Sequence, residues 1–421
     1  MNAVKIEGKT PLNGSVTPSG SAISASKLII ASLYSGEEVI LENIPKVGFT
    51  EDEVSLIQSL GGECFWLEGS KLRINTSGVN THRIPYEIGS RNRSALLAAG
   101  PLLFRFGKAV IPKPVNTRQK ASPIDRFILV WEDLGFKVSQ DREWISIETS
   151  DEGSKDISFK SNTHSGTENA ILSSLFIKGT TVINNAAEEP EVDDLISFVN
   201  LIGANVKRTE SRRIEVTGGT IFKGGVFEVQ RDKNEAIFFA VAGLLTKGSV
   251  TIKNVNKVSV SAFLSVLNKM GANFEFQGND LSVWYGGETF VPVDVSSNPA
   301  PGFLTDWMPA LCVLATQAQG VSVLSENIYS DVWGYIRDLN RMGARISILE
   351  GTPEKVSITG PTVFHPVTLD ISDIRSGMAL LLAALSLEGV VDIRGIEYLD
   401  AVFEDLVVKL QKLGAKISSC K

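Results

Sequence analysis

Apolar and polar positions along this chain follow an order that repeats. "KGTTVINNAAEEPEVDDLISFVNLIGA" opens on a glycine, runs through a short β-branched strand and a turn, and then enters a helix. Val192, Leu195, Ile196, Val199 and Ile202 fall on one stripe of that helix, the spacing of a half-exposed amphipathic helix. Gly203 follows as a stop, because the left-handed backbone after a helix is cheap only for glycine. The same order recurs in "SGEEVILENIPKVGFTEDEVSLIQSLGG", "KGSVTIKNVNKVSVSAFLSVLNKMGA", "QGVSVLSENIYSDVWGYIRDLNRMGA" and "EGVVDIRGIEYLDAVFEDLVVKLQKLGA". "FGKAVIPKPVNTRQKASPIDRFILVWEDLGF" is a weaker sixth copy. The closing glycines are Gly61, Gly135, Gly203, Gly271, Gly343 and Gly414. They lie about 70 residues apart, a longer period than ordinary solenoid units have.

A second helix precedes each copy: "SASKLIIASLY", "RSALLAAGPLLF", "ENAILSSLFI", "EAIFFAVAGLL", "WMPALCVLAT" and "GMALLLAAL". These are apolar nearly all round, the pattern of a helix with no solvent face. Each unit therefore carries one half-exposed helix, one internal helix and several strands. Six such units predict an α/β (α+β) fold of two three-unit domains, with helices inside and sheets outside.

Composition narrows the function classes. The 421 residues suffice for two domains with full cores. A net charge of −7 with no basic run argues against a nucleic-acid partner. No apolar run approaches the length of a membrane span, and "MNAVKIEGKT" lacks the layout of a signal peptide. Cys64, Cys312 and Cys420 lie far apart, as do His82, His164 and His365. That spacing predicts no metal site and suits a reducing cytoplasm.

"SGSAISASKLII" poses a specific question. Ser19, Gly20 and Ser21 offer backbone N–H groups and hydroxyls at a helix start, where an anion is naturally held. Yet Ala22 and Ile23 follow, and no cation appears until Lys27.

The repeats and the stretches "GTTVINNAAEEPEVDDLISFVNLIGA", "RSALLAAGPLLFRFG" and "LNRMGA" resemble the enolpyruvyl transferases over essentially the whole chain. The similarity is greatest to the branch that acts on UDP-N-acetylglucosamine. The resemblance implies two inside-out α/β barrels of three repeats each, residues 21–229 and residues 1–20 with 230–421, and an active site in the cleft between them. It implies small-molecule substrates, a uridine nucleotide or related nucleoside phosphate and phosphoenolpyruvate, and no cofactor. It also implies site residues. Asp306 in "FLTDWMP" matches a proposed proton acceptor, and Arg93 and Arg375 match cleft arginines. Pro123 and Asp125 in "SPID" match a uracil-binding motif, and Ser165 and Gly166 in "SGTEN" match the turn on the diphosphate side. Asp232 and Glu235 keep a D-x-x-E pattern. A loop histidine such as His164 is ordinarily structural, with ligand contact as the alternative.

Other family positions are replaced. The phosphoenolpyruvate lysine and its neighbouring asparagine fall at Ala22 and Ile23. Two arginines fall at Ala401 and Val332, and the loop arginine falls at Ser122. The loop that bears a cysteine or aspartate in the family has Val115 or Asn116 in that place. Fixed cations stabilise a departing phosphate, and removing one commonly costs about 10²–10³ in rate. Lys113, Arg118 and Lys120 in a basic lid, with Lys27 further along the helix, are the candidate replacements. Three readings follow. The first is a transferase with a non-standard acceptor, serving secondary metabolism. The second is a relative repurposed for another reaction on a nucleotide, such as elimination or rearrangement. The third is a non-catalytic nucleotide sensor.

Overall fold

The helix stops work as the pattern requires. Gly61, Gly135, Gly203, Gly271, Gly343 and Gly414 all have positive φ, between 78° and 116°, each one residue past the helix C-cap. The computed structural model describes residues 3–115, 124–150, 155–219, 221–287, 289–330 and 332–420. Two compact units emerge: a continuous one, residues 20–230, and a split one, residues 1–19 with 231–421.

Among the described residues the continuous unit has three sheets. One runs Gly225–Glu228, Val39–Glu42, Lys71–Asn75, Glu63–Leu67. The second runs Asn205–Glu210, Arg213–Thr217, Thr180–Asn184, Ile157–Ser158. The third has Lys108–Pro112, Trp144–Glu148 and Lys137–Gln140, and belongs to the copy that is weakest in sequence. A single parallel bridge, Arg83 to Val110, stands where the other sheets have a fourth strand. Strand residues alternate as a one-sided sheet demands: Leu72 and Ile74 point inward and are buried, while Arg73 between them is exposed.

The split unit has three four-stranded sheets. In one, Ala3–Glu7 lies between Val390–Arg394 and Lys416–Cys420, antiparallel to both, with Ile6 opposite Val391 and Ile417. In another, Asn13–Val16 adds in parallel to Ser249–Ile252. The split unit thus takes Ala3–Glu7 and Asn13–Val16 from chain that precedes the continuous unit. In the continuous unit the corresponding parallel strand is Gly225–Glu228, at the end of its own run, beside Val39–Glu42.

The all-apolar helices are internal. Every residue of Lys233–Leu245 and of Met308–Ala315 is buried, and both pack with Ile374–Ser386 at the centre of the split unit. Each fully buried leucine, isoleucine or phenylalanine there contributes roughly 1.5–3 kcal/mol. In the continuous unit the equivalents are Ala22–Ala31, Ala99–Phe106 and His164–Ser174. "RSALLAAGPLLF" is not one α-helix. It begins as a 3₁₀ segment, Arg93–Ala98, and becomes α-helical only from Ala99. Pro101 has no N–H to donate back into the preceding turn, so a single regular helix cannot run through it. At Gly100 a Cβ would stand 2.7 Å from the Leu172 carbonyl oxygen, so this helix approaches its neighbour through glycine.

Candidate functional site

In the split unit, Thr305–Trp307 forms a 3₁₀ turn into Met308–Ala315 and carries Asp306 at its centre. Asp306 does not cap its helix. Leu304 holds the N-cap position without a side-chain bond, and the Thr305 hydroxyl donates elsewhere, to Glu326 Oε2 at 2.7 Å. Arg375 is the second residue of Ile374–Ser386. A capping box fixes that helix start: Asp373 Oδ1 accepts from Ser376 N at 2.9 Å, and Ser376 Oγ accepts from Asp373 N at 3.0 Å. Arg375 Nη2 then lies 3.6 Å from Asp306 Oδ1, and the guanidinium stands 5.2 Å from the centre of the Tyr329 ring. Both charged side chains keep a third or more of their surface in solvent, so the pair is accessible to a ligand.

Asp232 and Glu235 have structural partners in the same unit. Asp232 caps Lys233–Leu245 by accepting from Asn234 N and Glu235 N. Glu235 is buried, accepts from Ser19 N at 2.8 Å and pairs with Lys409 Nζ at 2.5 Å. Burial pushes its carboxyl up to about 7, although Lys409 pulls it down. Ala401 is buried beside the short helix Glu397–Asp400, with no charge of its own to offer.

In the continuous unit, Ser21 caps Ala22–Ala31 by accepting from Ser24 N. Ala22 is buried. Two carboxylates flank this helix. Ser24 Oγ donates to Asp194 Oδ2, and Ser26 Oγ donates to Glu53 Oε1 at 2.5 Å. Burial raises Asp194 to about 6 and Glu53 to about 7. The charge of Lys27 falls on Glu53 and holds that carboxyl lower than burial alone would. Glu53 Oε2 also accepts from Asn92 Nδ2 at 2.9 Å, and Asn92 Oδ1 caps the segment that begins with Arg93. The Arg93 guanidinium stands 5.4 Å from the centre of the Phe127 ring.

Phe127 belongs to Asp125–Asp133, whose first residue, Asp125, is exposed at the positive end of the helix. That helix packs on His164–Ser174, where the Trp131 indole donates to Asn169 and Ser173. Ser165 and Gly166 lie in the first turn of His164–Ser174. The Gly166 N–H is already bonded to the Thr163 hydroxyl, and a Cβ there would meet Thr163 Cγ2 at 2.5 Å. His164 Nε2 lies 3.1 Å from the buried Glu168 carboxylate. Burial alone would lower this imidazole, but Glu168, Glu189 and Glu191 raise it to about 9.

Lys113 is half-buried, and its charge falls on Asp141. Arg118, Lys120 and Pro123 lie outside the described residues, as do Asn116 and Ser122. The structure thus joins Asp306 with Arg375 in one unit, and Lys27 with the Glu53–Asn92–Arg93 segment in the other. Glu53, Asp194, Glu326 and Tyr329 were not singled out by sequence; their partners come from distant segments, and no local motif marks them. Among the described residues no cluster of histidine, cysteine or carboxylate side chains has metal-ligand geometry, and no helix is long and apolar enough to cross a membrane.

Three sheet-and-helix repeats per unit, with the helices inside, define a two-domain inside-out α/β protein. The chain belongs to the EPSP synthase family of enolpyruvyl transferases: the family model described as EPSP synthase (3-phosphoshikimate 1-carboxyvinyltransferase) matches residues 6–410. It is 32% identical to the UDP-N-acetylglucosamine 1-carboxyvinyltransferase of Campylobacter hominis, over 99% of each chain. It is 34% identical to UDP-N-acetylglucosamine 1-carboxyvinyltransferase 1 of Caldanaerobacter subterraneus subsp. tengcongensis, over 98% of each. Among solved structures it resembles the enolpyruvyl transferase NikO from Streptomyces tendae, with a TM-score of 0.87 at 19% identity over 99% of this chain and 98% of that one. It also resembles EPSP synthase from Acinetobacter baumannii, with a TM-score of 0.77 at 18% identity over both whole chains. At those identities the structural likeness speaks for the fold.

Proposed function

We propose that the protein is an enolpyruvyl transferase whose acceptor is a uridine nucleotide, a UDP-sugar or a related nucleoside phosphate. The observation that carries this reading is the accessible Asp306–Arg375 pair, 3.6 Å apart, in a chain similar along its length to UDP-N-acetylglucosamine carboxyvinyltransferases. In the reaction an acceptor hydroxyl adds to C2 of phosphoenolpyruvate while a proton goes to C3. Asp306 takes the hydroxyl proton as the C–O bond forms. Phosphate then leaves the tetrahedral intermediate, and C3 gives up a proton to restore the double bond. Arg375 and Arg93 supply fixed positive charge for the carboxylate and the departing phosphate. Ser165 and Gly166 serve the diphosphate side, and Asp125 serves the base.

The start of Ala22–Ala31 supports a non-standard acceptor. Where the family resemblance places a lysine there is buried Ala22, and the nearest polar groups on that helix are bonded to Asp194 and Glu53. The same observation favours, as a second reading, a relative that has given up phosphoenolpyruvate for another reaction on a nucleotide. Phosphate release from phosphoenolpyruvate, measured across a panel of uridine nucleotides and UDP-sugars, separates the two. Release that requires one acceptor and is lost in Asp306→Asn establishes the transferase. Tight nucleotide binding without release in the same samples refutes it.

A further inference from the structure

We infer that Glu326 is a positioning residue that sets the geometry of Asp306 and Arg375 from behind; the inference rests on the transferase reading of that pair. Glu326 follows the strand Gly320–Ser325 and is 2% exposed. Its Oε1 accepts from the Ser297 hydroxyl at 2.7 Å and from the backbone N–H groups of Ile328 and Tyr329 at 2.8 and 3.2 Å. Its Oε2 accepts from the Thr305 hydroxyl at 2.7 Å. Ser297 Oγ in turn accepts from Asn327 N at 2.8 Å, so the 326–329 turn is tied down at successive residues.

Each end of this carboxylate holds one side of the pair. Thr305 is the chain neighbour of Asp306, and Tyr329 lies against the Arg375 guanidinium. Only a carboxylate accepts on both oxygens at once. A glutamine must keep its oxygen on the 328–329 backbone, because those N–H groups cannot accept. Its NH₂ then faces Thr305, and that hydroxyl must turn to accept. The Thr305 bond is therefore the separable part of the arrangement. Burying a charge for four hydrogen bonds is expensive, and an apolar turn would be simpler to build, so geometry is what the carboxylate supplies.

The test uses Thr305→Val, which removes the hydroxyl at nearly constant volume, with Thr305→Ser as the variant that keeps it. Misplacing a reacting group by about 1 Å costs up to about 10²-fold. Thr305→Val is expected to lower kcat about 10- to 100-fold, with the nucleotide KM within about 2-fold and an unchanged circular dichroism spectrum. Thr305→Ser is expected to keep near-native kcat. Adding Glu326→Gln to Thr305→Val is expected to cost nothing further, because the bond it would alter is already gone. Native kcat in Thr305→Val, or losses that multiply in the double variant, overturn the inference. If the native protein turns over no uridine nucleotide, the transferase reading fails and a crystal structure of Thr305→Val decides this one. An Asp306–Arg375 distance opened by about 1 Å supports it, on the scale at which a reacting group is misplaced, and one unchanged from 3.6 Å overturns it.

Discussion

Replacing Glu53 by glutamine is expected to stabilise the continuous unit, by an amount that grows as pH rises from about 4.5 to about 7. Glu53 is 1% exposed in the helix Gly48–Ser59 and bonded to Ser26 and Asn92. Burial raises its carboxyl from 4.5 to about 7, against the pull of the two hydrogen bonds and of Lys27. Between those values the folded chain holds a proton that the unfolded chain has lost. Stability therefore falls as pH rises through that window, and the full penalty, about 3 kcal/mol, is present only above it. Glutamine is never charged and keeps both partners. Its oxygen accepts from Asn92, while its NH₂ donates to Ser26 Oγ, whose own proton turns to the carbonyl four residues back. Glu53→Gln should thus gain up to about 3 kcal/mol at pH 8 and under about 1 kcal/mol at pH 5. Urea unfolding at the two pH values measures the difference, and hydrogen exchange of the 48–59 amides assigns it to this unit. A loss of stability at pH 8, or an equal gain at both pH values, would show that Glu53 is not held protonated by burial.

Two further outcomes are expected. Lys409→Met leaves the buried Glu235 without its cation and should cost about 3–5 kcal/mol near pH 8. The cost should shrink at pH 5, where Glu235 takes up a proton; urea unfolding at both values checks this. The His164 imidazole should titrate near pH 9 by NMR and move down in Glu168→Gln. Its folded value lies above the ordinary 6.5, so the pair's contribution is complete below that pH and is lost as pH rises through about 9.

The fold was legible because its signals are local. A helix that must end needs its glycine beside it, and a helix with no polar face can only go inside; both facts sit within a dozen residues. The break before Ala99 was equally local, in Pro101, but eight apolar letters outweighed one proline in the pattern. The site was legible only in part. Asp306 and Arg375 stand in recognisable surroundings, and the structure joins them. Glu326 owes its place to Ser297 and Thr305, on segments that precede it by more than 20 residues. Glu53 and Asp194 bond to serines 27 and 170 residues away. A buried carboxylate reads in sequence like any surface acid until the fold supplies its donors.

The strand Ala3–Glu7 sits between Val390–Arg394 and Lys416–Cys420, with Ala3 opposite Cys420. During synthesis Ala3–Glu7 must wait for Lys416–Cys420. The described strands of the continuous unit are complete once residue 228 has left the ribosome, whereas the sheet of Ala3–Glu7 stays open until residue 420 has emerged. A ribosome stalled before the codons for Lys416–Cys420 would therefore hold one finished unit and one with an unpaired edge, exposed to chaperones and proteases. Linking residue 420 to residue 3 and reopening the gene between residues 230 and 231 would make both units continuous in sequence. The order in which they fold would then become a choice of the gene's starting point.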